Sequence, residues 1–138
     1  DALLRRYPSL PVEEEGRLND PRIRENFVER VFAYRQLRSF FAGRWTIGDL
    51  VRFHTAHKLQ LLSHSPRAYA TLGQLVARAK GIPRARLRAR YETEFMKALS
   101  EIATPRRHVN VLHHIVGHFR KHLDDDSRRE LLSLTITQ

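Results

Sequence analysis

SPRAYATLGQLVARAKGIPRARLRARYETEFMKALS, Ser65 to Ser100, is the stretch whose reading decides the fold. Ser65 is a good helix cap, and Pro66 has the fixed φ that suits a first helical position. Tyr69, Leu72, Leu75, Val76 and Ala79 then recur at the spacing of one helix face. Gly81 closes that helix and Pro83 opens another. On the second helix Leu87, Tyr91, Phe95, Ala98, Leu99 and Ile102 form an apolar stripe, with Arg86, Arg90 and Lys97 on the opposite side. Two amphipathic helices joined by a short turn are the unit of an antiparallel bundle.

The same signals continue outward in both directions. Upstream, Thr46 and Asp49 make a capping-box-like start for a helix to about Ser63. Before it, Asp20-Pro21 opens a helix to about Phe41, with Ile23, Phe27, Val31 and Tyr34 as its apolar face and Gly43 as its stop. Downstream, Thr104-Pro105 caps a helix that turns Val109, Leu112, Ile115, Val116, Phe119 and Leu123 toward the core and Arg106, Asn110, His113, His114, Gly117 and Lys121 outward. Asp126 or Ser127 starts a short last helix ending near Leu134. There is no alternating strand, internal repeat or low-complexity tract, so the expected fold is all-α, an antiparallel bundle of about five to six helices with no sheet. Pro8, Pro11, Gly16 and Asn19-Asp20-Pro21 break any periodicity in residues 1–20, which read as a linker or the tail of a preceding domain, leaving 21–138 as one helical domain. A start at Asp1 rather than Met reads as a piece of something longer.

A chain of 138 residues can bury a real core without staples. It has no cysteine, which excludes disulfides, thiolate metal sites, cysteine-ligated clusters and cysteine nucleophiles in this chain. No apolar run approaches the ~20 residues that span a bilayer, and no signal segment opens the chain, so no membrane partner and a cytoplasmic location are expected.

Charge is the most informative property of the sequence. Lys and Arg number 25 against 15 Asp and Glu, a formal charge of +10. Between Asp49 and Glu92 there is no acidic residue, while Arg52, Lys58, Arg67, Arg78, Lys80, Arg84, Arg86, Arg88 and Arg90 accumulate. A second acid-free interval, Ile102 to Leu123, holds Arg106, Arg107, Arg120, Lys121 and five of the eight histidines. Such imbalance goes beyond what a soluble surface needs and points to a polyanion. Helical spacing pairs Arg88 with Glu92 and Arg90 with Glu94, which leaves Arg78, Lys80, Arg84 and Arg86 without local partners and available to nucleic-acid phosphates.

The apolar stripe of the helix begun at Thr46 is interrupted by His54 and Lys58. Either a neutral histidine is satisfied by a backbone carbonyl while the lysine stem reaches outward, or this face borders a cleft. In the second case His54, His57, Lys58 and His64 offer donors to phosphate oxygens or a base edge. His114, His118 and His122 recur every four residues and form a weak candidate metal ladder, but the zinc-protease motif is absent and no glutamate base stands between His114 and His118. Glu13 to Glu15 resemble an acid–base pair only in composition, since they sit in the Pro- and Gly-bounded segment. Tyr7, Trp45, Tyr69 and Tyr91 are aromatic groups able to stack on unpaired bases, with core packing the competing role for Tyr69 and Tyr91. Neither a glycine-rich phosphate loop nor a nucleophile elbow is present. No catalytic residue and no cofactor is therefore expected in this chain.

Phe53-His54-Thr55-Ala56-His57-Lys58, continuing through Leu62-Ser63-His64-Ser65-Pro66 to Tyr69, Leu72 and Gly73, resembles the signature of the YbgA-like bacterial domain family. Tyr91, Phe95, Met96, Ala98 and Leu99, then His108, Asn110, Val111, Leu112, His114, Ile115 and Phe119, and finally Glu130 and Leu131, follow the same pattern over roughly residues 46–132. The opening Leu10-Pro11-Val12-Glu13-Glu14-Glu15-Gly16-Arg17-Leu18-Asn19-Asp20-Pro21 is similar to the junction of two-domain members, in which a desulfidase-like domain with an iron–sulfur cluster comes first. Such proteins are understood to remove sulfur from 4-thiouridine in tRNA. The resemblance implies a tRNA-binding module that positions RNA for that partner domain, which would carry the cluster. On this reading Arg78, Lys80, Arg84, Arg86, Arg106, Arg107 and Lys121 track phosphates, and His54, His57, Lys58 and His64 line a more specific contact. The competing functions are a histidine- and lysine-based or metal-dependent enzyme site, and a docking domain for an acidic partner protein. Family members continue past Glu130-Leu131 into another helical segment, which leaves room for a truncated C-terminus.

Overall fold

The computed structural model describes residues 2–119, 122 and 124–136. They form α1 (Ala2–Arg6), α2 (Pro21–Ala42), α3 (Ile47–His64), α4 (Pro66–Ala77), α5 (Arg84–Ser100), α6 (Pro105–Phe119) and α7 (Asp125–Ile136), with 3-10 turns at Glu15–Asn19 and Ala79–Gly81 and no strand among the described residues. The fold is all-α, as expected. The added element is α1, whose five residues bury nothing and give no apolar period to read.

The helix starts follow from local chemistry. The Asp20 carboxylate accepts the Arg22 amide at 2.9 Å, and Pro21 takes the first helical position of α2. Thr46 and Asp49 complete a reciprocal capping box, with bonds of 3.1 and 2.8 Å, which satisfies two otherwise orphaned amides at the start of α3. Ser65 caps α4 through Ala68 N, and Thr104 caps α6 through Arg107 N, both at 3.3 Å. For α7 the cap is Asp124, whose carboxylate accepts from Ser127 N at 2.6 Å, so this helix starts a residue earlier than Asp126.

Helices α2 to α5 run alternately up and down. Asn26 meets Leu99 and Phe41 meets Arg88 and Tyr91, which fixes α2 antiparallel to α5, while His54 meets Tyr91 and His64 meets Glu101, which fixes α3 parallel to it. Leu37, Leu50, Leu61, Leu72, Leu87, Tyr91, Phe95 and Leu99 are completely buried between them. The Phe40, Phe41, Trp45 and Phe53 rings close one end of this core with centroid separations of 4.8 to 6.1 Å. Helix α6 lies outside, against α3 and α7.

Two apolar faces differ from expectation. The buried residues of α2 are Asn26, Ala33, Leu37 and Phe41, while Val31 is 43% exposed. The stripe is rotated by nearly one residue step, about 100° in an α-helix. This helix is apolar on several sides, with Val28 and Phe32 also exposed, so spacing alone could not choose its phase. Polar contacts choose it: the buried Asn26 amide donates to the Leu99 carbonyl at 3.0 Å. On α6 only Val116 is buried, whereas Leu112 and Phe119 are exposed because that helix has neighbours on part of its circumference only. Leu123 lies outside the described residues. Ile102, expected on the stripe of α5, is exposed beyond the end of that helix.

Residues 8–20 are laid on the bundle rather than held away from it. Glu13, with its side chain only 10% exposed, pairs with Arg30 of α2 at 3.3 Å and with Arg17 at 2.7 Å. That anchors the segment across the α2 surface and removes Glu13 from any role as a solvent-facing acid.

Candidate functional site

The alternation of helices gathers the turns at two ends. The α2–α3 turn and the α4–α5 turn form the first end, and the α3–α4 and α5–α6 junctions form the second. Along the 17 residues of α5 these ends are about 25 Å apart at ~1.5 Å per residue.

At the first end Arg44, Arg78, Lys80, Arg84 and Arg86 are exposed. Arg84 donates to the Trp45 carbonyl at 2.9 Å and lies over the indole, 4.8 Å from its centroid, which ties the start of α5 to the α2–α3 turn. Neither contact neutralises its charge. Arg44, Arg78, Lys80 and Arg86 make no ion pair among the described residues. The carboxylates closest along the chain are engaged: Asp49 holds the capping box and Arg52, and Glu92 receives Arg38 at 3.3 Å and Arg88 at 3.9 Å. Of the two expected pairs on α5, Arg88–Glu92 forms, and no Arg90–Glu94 ion pair occurs among the described residues.

The second end has a different balance. Arg107 bonds the His64 carbonyl and lies 3.4 Å from the Glu101 carboxylate. Arg106 is exposed beside it. The surface depression here is lined by Arg67 and Lys97 but also by Glu94 and Glu101. The expected phosphate-tracking set is thus split between two ends, of which only the first is without balancing acids. Lys121 lies outside the described residues.

The group His54, His57, Lys58 and His64 does not share one surface, because each side chain meets a different neighbour of α3. His57 stacks on Phe53, with Nδ1 2.8 Å from the Phe53 carbonyl and Nε2 3.2 Å from Gln36 of α2. His64 is 1% exposed and is enclosed by Glu29 and the Glu101 carbonyl, so it is no surface donor. His54 is half-buried, with Nδ1 3.0 Å from the Tyr91 hydroxyl and its ring parallel to that of Tyr69 at 6.2 Å. Burial, aided by the nearby His57, lowers the His54 pKa, and burial raises that of Tyr91, so this pair is a neutral hydrogen bond. The partner of His54 is a tyrosine hydroxyl rather than a backbone carbonyl.

Lys58 does border a cleft. A groove of about 350 Å³ between α3 and α6 is lined by Lys58, Leu59, Leu62, Tyr69, His114, Ile115, His118 and Phe119. It contains two of the ladder histidines, and among the described residues no group of three or more histidine, aspartate or glutamate side chains stands close enough to hold a metal ion. His122 falls after the end of α6, where the backbone turns. Sequence reasoning placed His114 on an outer face and missed its proximity to Lys58, since nothing in either helix alone says which neighbour α6 will take.

Residues 58–137 match the model of a family described as "Protein of unknown function (DUF1722)". The chain is also 33% identical over 118 residues to "Uncharacterized protein YbgA" of Escherichia coli (strain K12), an alignment covering 85% of this chain and 70% of that protein. No solved structure matches significantly. Among the described residues no helix is long and apolar enough to cross a membrane.

Proposed function

This chain belongs to the DUF1722 family. From its unopposed cations and the sequence resemblance given above, we propose that it is a tRNA-binding module that positions RNA for a desulfidase domain removing sulfur from 4-thiouridine. The observation that supports this reading is the first end of the bundle, where Arg44, Arg78, Lys80, Arg84 and Arg86 stand exposed without balancing carboxylates. The turns and helix ends at this end of the bundle gather these cations, and each phosphate neutralised releases condensed counterions, so affinity arises without base readout. The chemistry belongs to the partner domain and its iron–sulfur cluster, since this chain has no cysteine to hold one.

Binding of tRNA measured from low to moderate salt tests the proposal. Log affinity should fall linearly with log salt, with a slope of about −0.7 to −0.9 per phosphate contacted. A salt-independent affinity would instead favour docking to an acidic protein.

A further inference from the structure

The α3–α6 groove combines features that no bundle needs for stability. Its polar side chains are an amine, two imidazoles and a phenol, and no carboxylate lines it. Lys58 makes no ion pair among the described residues, although its stem is half-buried. His114 and His118, one helical turn apart, are exposed on the opposing wall. The rest of the lining is apolar, and it includes Phe119, 51% exposed, whose ring meets His118 edge-on at 5.7 Å. Tyr69 lies parallel to the His54 ring at 6.2 Å, and His54 is in turn fixed by the Tyr91 hydroxyl at 3.0 Å. At about 350 Å³ the groove falls at the low end of the ~300–1,000 Å³ range of small-molecule sites.

A ligand suited to these walls has a flat apolar body and a compact anion. We infer that the groove binds one nucleoside monophosphate unit, with its base against Tyr69 and Phe119 and its phosphate met by Lys58, His114 and His118. The choice of a nucleotide over another aromatic anion rests on the RNA-binding reading above. The shared chemistry has two sources, a free mononucleotide or an unpaired nucleotide of an RNA. Aromatic stacking supplies affinity for any base, and the Lys58 amine with the two imidazole donors requires the phosphate.

The test uses the intact chain and follows the imidazole proton resonances of His114 and His118, assigned by single His→Gln variants. Uridine monophosphate should shift both and bind at least about tenfold more tightly than uridine or inorganic phosphate, since each of those lacks one half of the recognition. Lys58→Ala should weaken that binding about tenfold and Lys58→Arg should restore most of it, with unchanged Trp45 fluorescence showing that the fold persists. The inference is overturned if uridine monophosphate leaves both resonances unmoved at millimolar concentration, if phosphate alone matches it, or if Lys58→Ala binds it equally well. Duplex RNA with and without a one-nucleotide overhang separates the sources. A shift of the two histidines only with the overhang places an RNA nucleotide in the groove, and a response to the free nucleotide alone identifies a small ligand; either upholds the site. Failure of the flush duplex to bind at low salt would count against the RNA reading without touching the mononucleotide result.

Discussion

Nε2 of His64 lies 3.0 Å from Oε1 of Glu29, joining α3 to α2 in an ion pair that is shut off from solvent on the histidine side. The other ring nitrogen is 2.6 Å from the Glu101 carbonyl. Nδ1 bonds that carbonyl, whereas Nε2, buried and without a hydrogen bond, meets the Glu29 carboxylate only as a charge contact, so the protonated ring is favoured by a bond on one side and an opposite charge on the other. Burial pulls the His64 pKa down, but the Glu29 carboxylate and the Glu101 carbonyl overcome it and raise it above its ordinary value. Contact with His64 lowers the Glu29 pKa against the opposing effect of burial, with Gln60 adding a 2.9 Å bond. Arg107 opposes the charging of His64, and His108 favours that of Glu29.

The sign of the pH dependence follows from these shifts. The raised His64 pKa contributes stability that is fully present below its unfolded value of 6.5 and is lost as pH rises through the folded value. The lowered Glu29 pKa contributes stability present above 4.5 and lost as pH falls through its folded value. The urea midpoint should therefore be highest between those values and decline toward alkaline pH. Glu29→Gln should flatten the alkaline decline and destabilise by about 2 kcal/mol, below the range for fully buried pairs because Glu29 is 38% exposed. Equal slopes for wild type and variant between about pH 6 and 9 would show that the pair does not control this titration.

Asn26 sets the rotation of α2 through its bond to Leu99, so its removal should be felt beyond the lost side chain. Asn26→Ala leaves the Leu99 carbonyl without that donor in the interior and should cost about 1–3 kcal/mol in chemical unfolding. A loss of under about 0.5 kcal/mol would mean that apolar contacts alone hold the helix phase.

Thr46 caps α3, the second helix of the α2–α3 hairpin, and its hydroxyl satisfies the Asp49 amide. Thr46→Ala should lower stability by about 1 kcal/mol, while Thr46→Ser should keep most of it, because the hydroxyl and not the methyl makes the cap. Thermal unfolding of the three proteins in parallel decides between capping and simple packing.

The two cationic ends should behave differently toward RNA. Arg84→Glu with Arg86→Glu should weaken binding to all RNAs about equally and reduce the salt slope by roughly one unit per phosphate lost. Arg106→Glu should change affinity by less than about twofold, since the second end carries Glu94 and Glu101 among its arginines and lysines. If Arg106→Glu proves as damaging as the Arg84 and Arg86 pair, RNA crosses both ends, and the assignment to the first end is wrong.

The starts of α2, α3, α4 and α6 were legible in the chain, because Asp20-Pro21, Thr46 with Asp49, Ser65-Pro66 and Thr104-Pro105 act through bonds to amides at most three positions away, whereas α4 ends at Ala77, before the expected stop at Gly81. The phase of α2 was not legible. Val28, Val31 and Phe32 compete with Ala33, Leu37 and Phe41 for the interior on apolarity alone, and a bond to Leu99, 73 positions distant, settles the matter. The histidines divide in the same manner: their presence and spacing are plain in the chain, yet His64 is an interior ion-pair member and His114 a groove wall.

Composition and short-range spacing were thus enough to establish an all-helical chain with a surplus of positive charge and no cysteine, since those properties need no partner more than a helical turn away. Which cations stand unopposed, which histidines see solvent and where a groove opens are settled by helices meeting across the bundle. Burial and charge neutralisation depend on what lies a few ångströms off in space, and the helices that supply those neighbours come from distant parts of the chain.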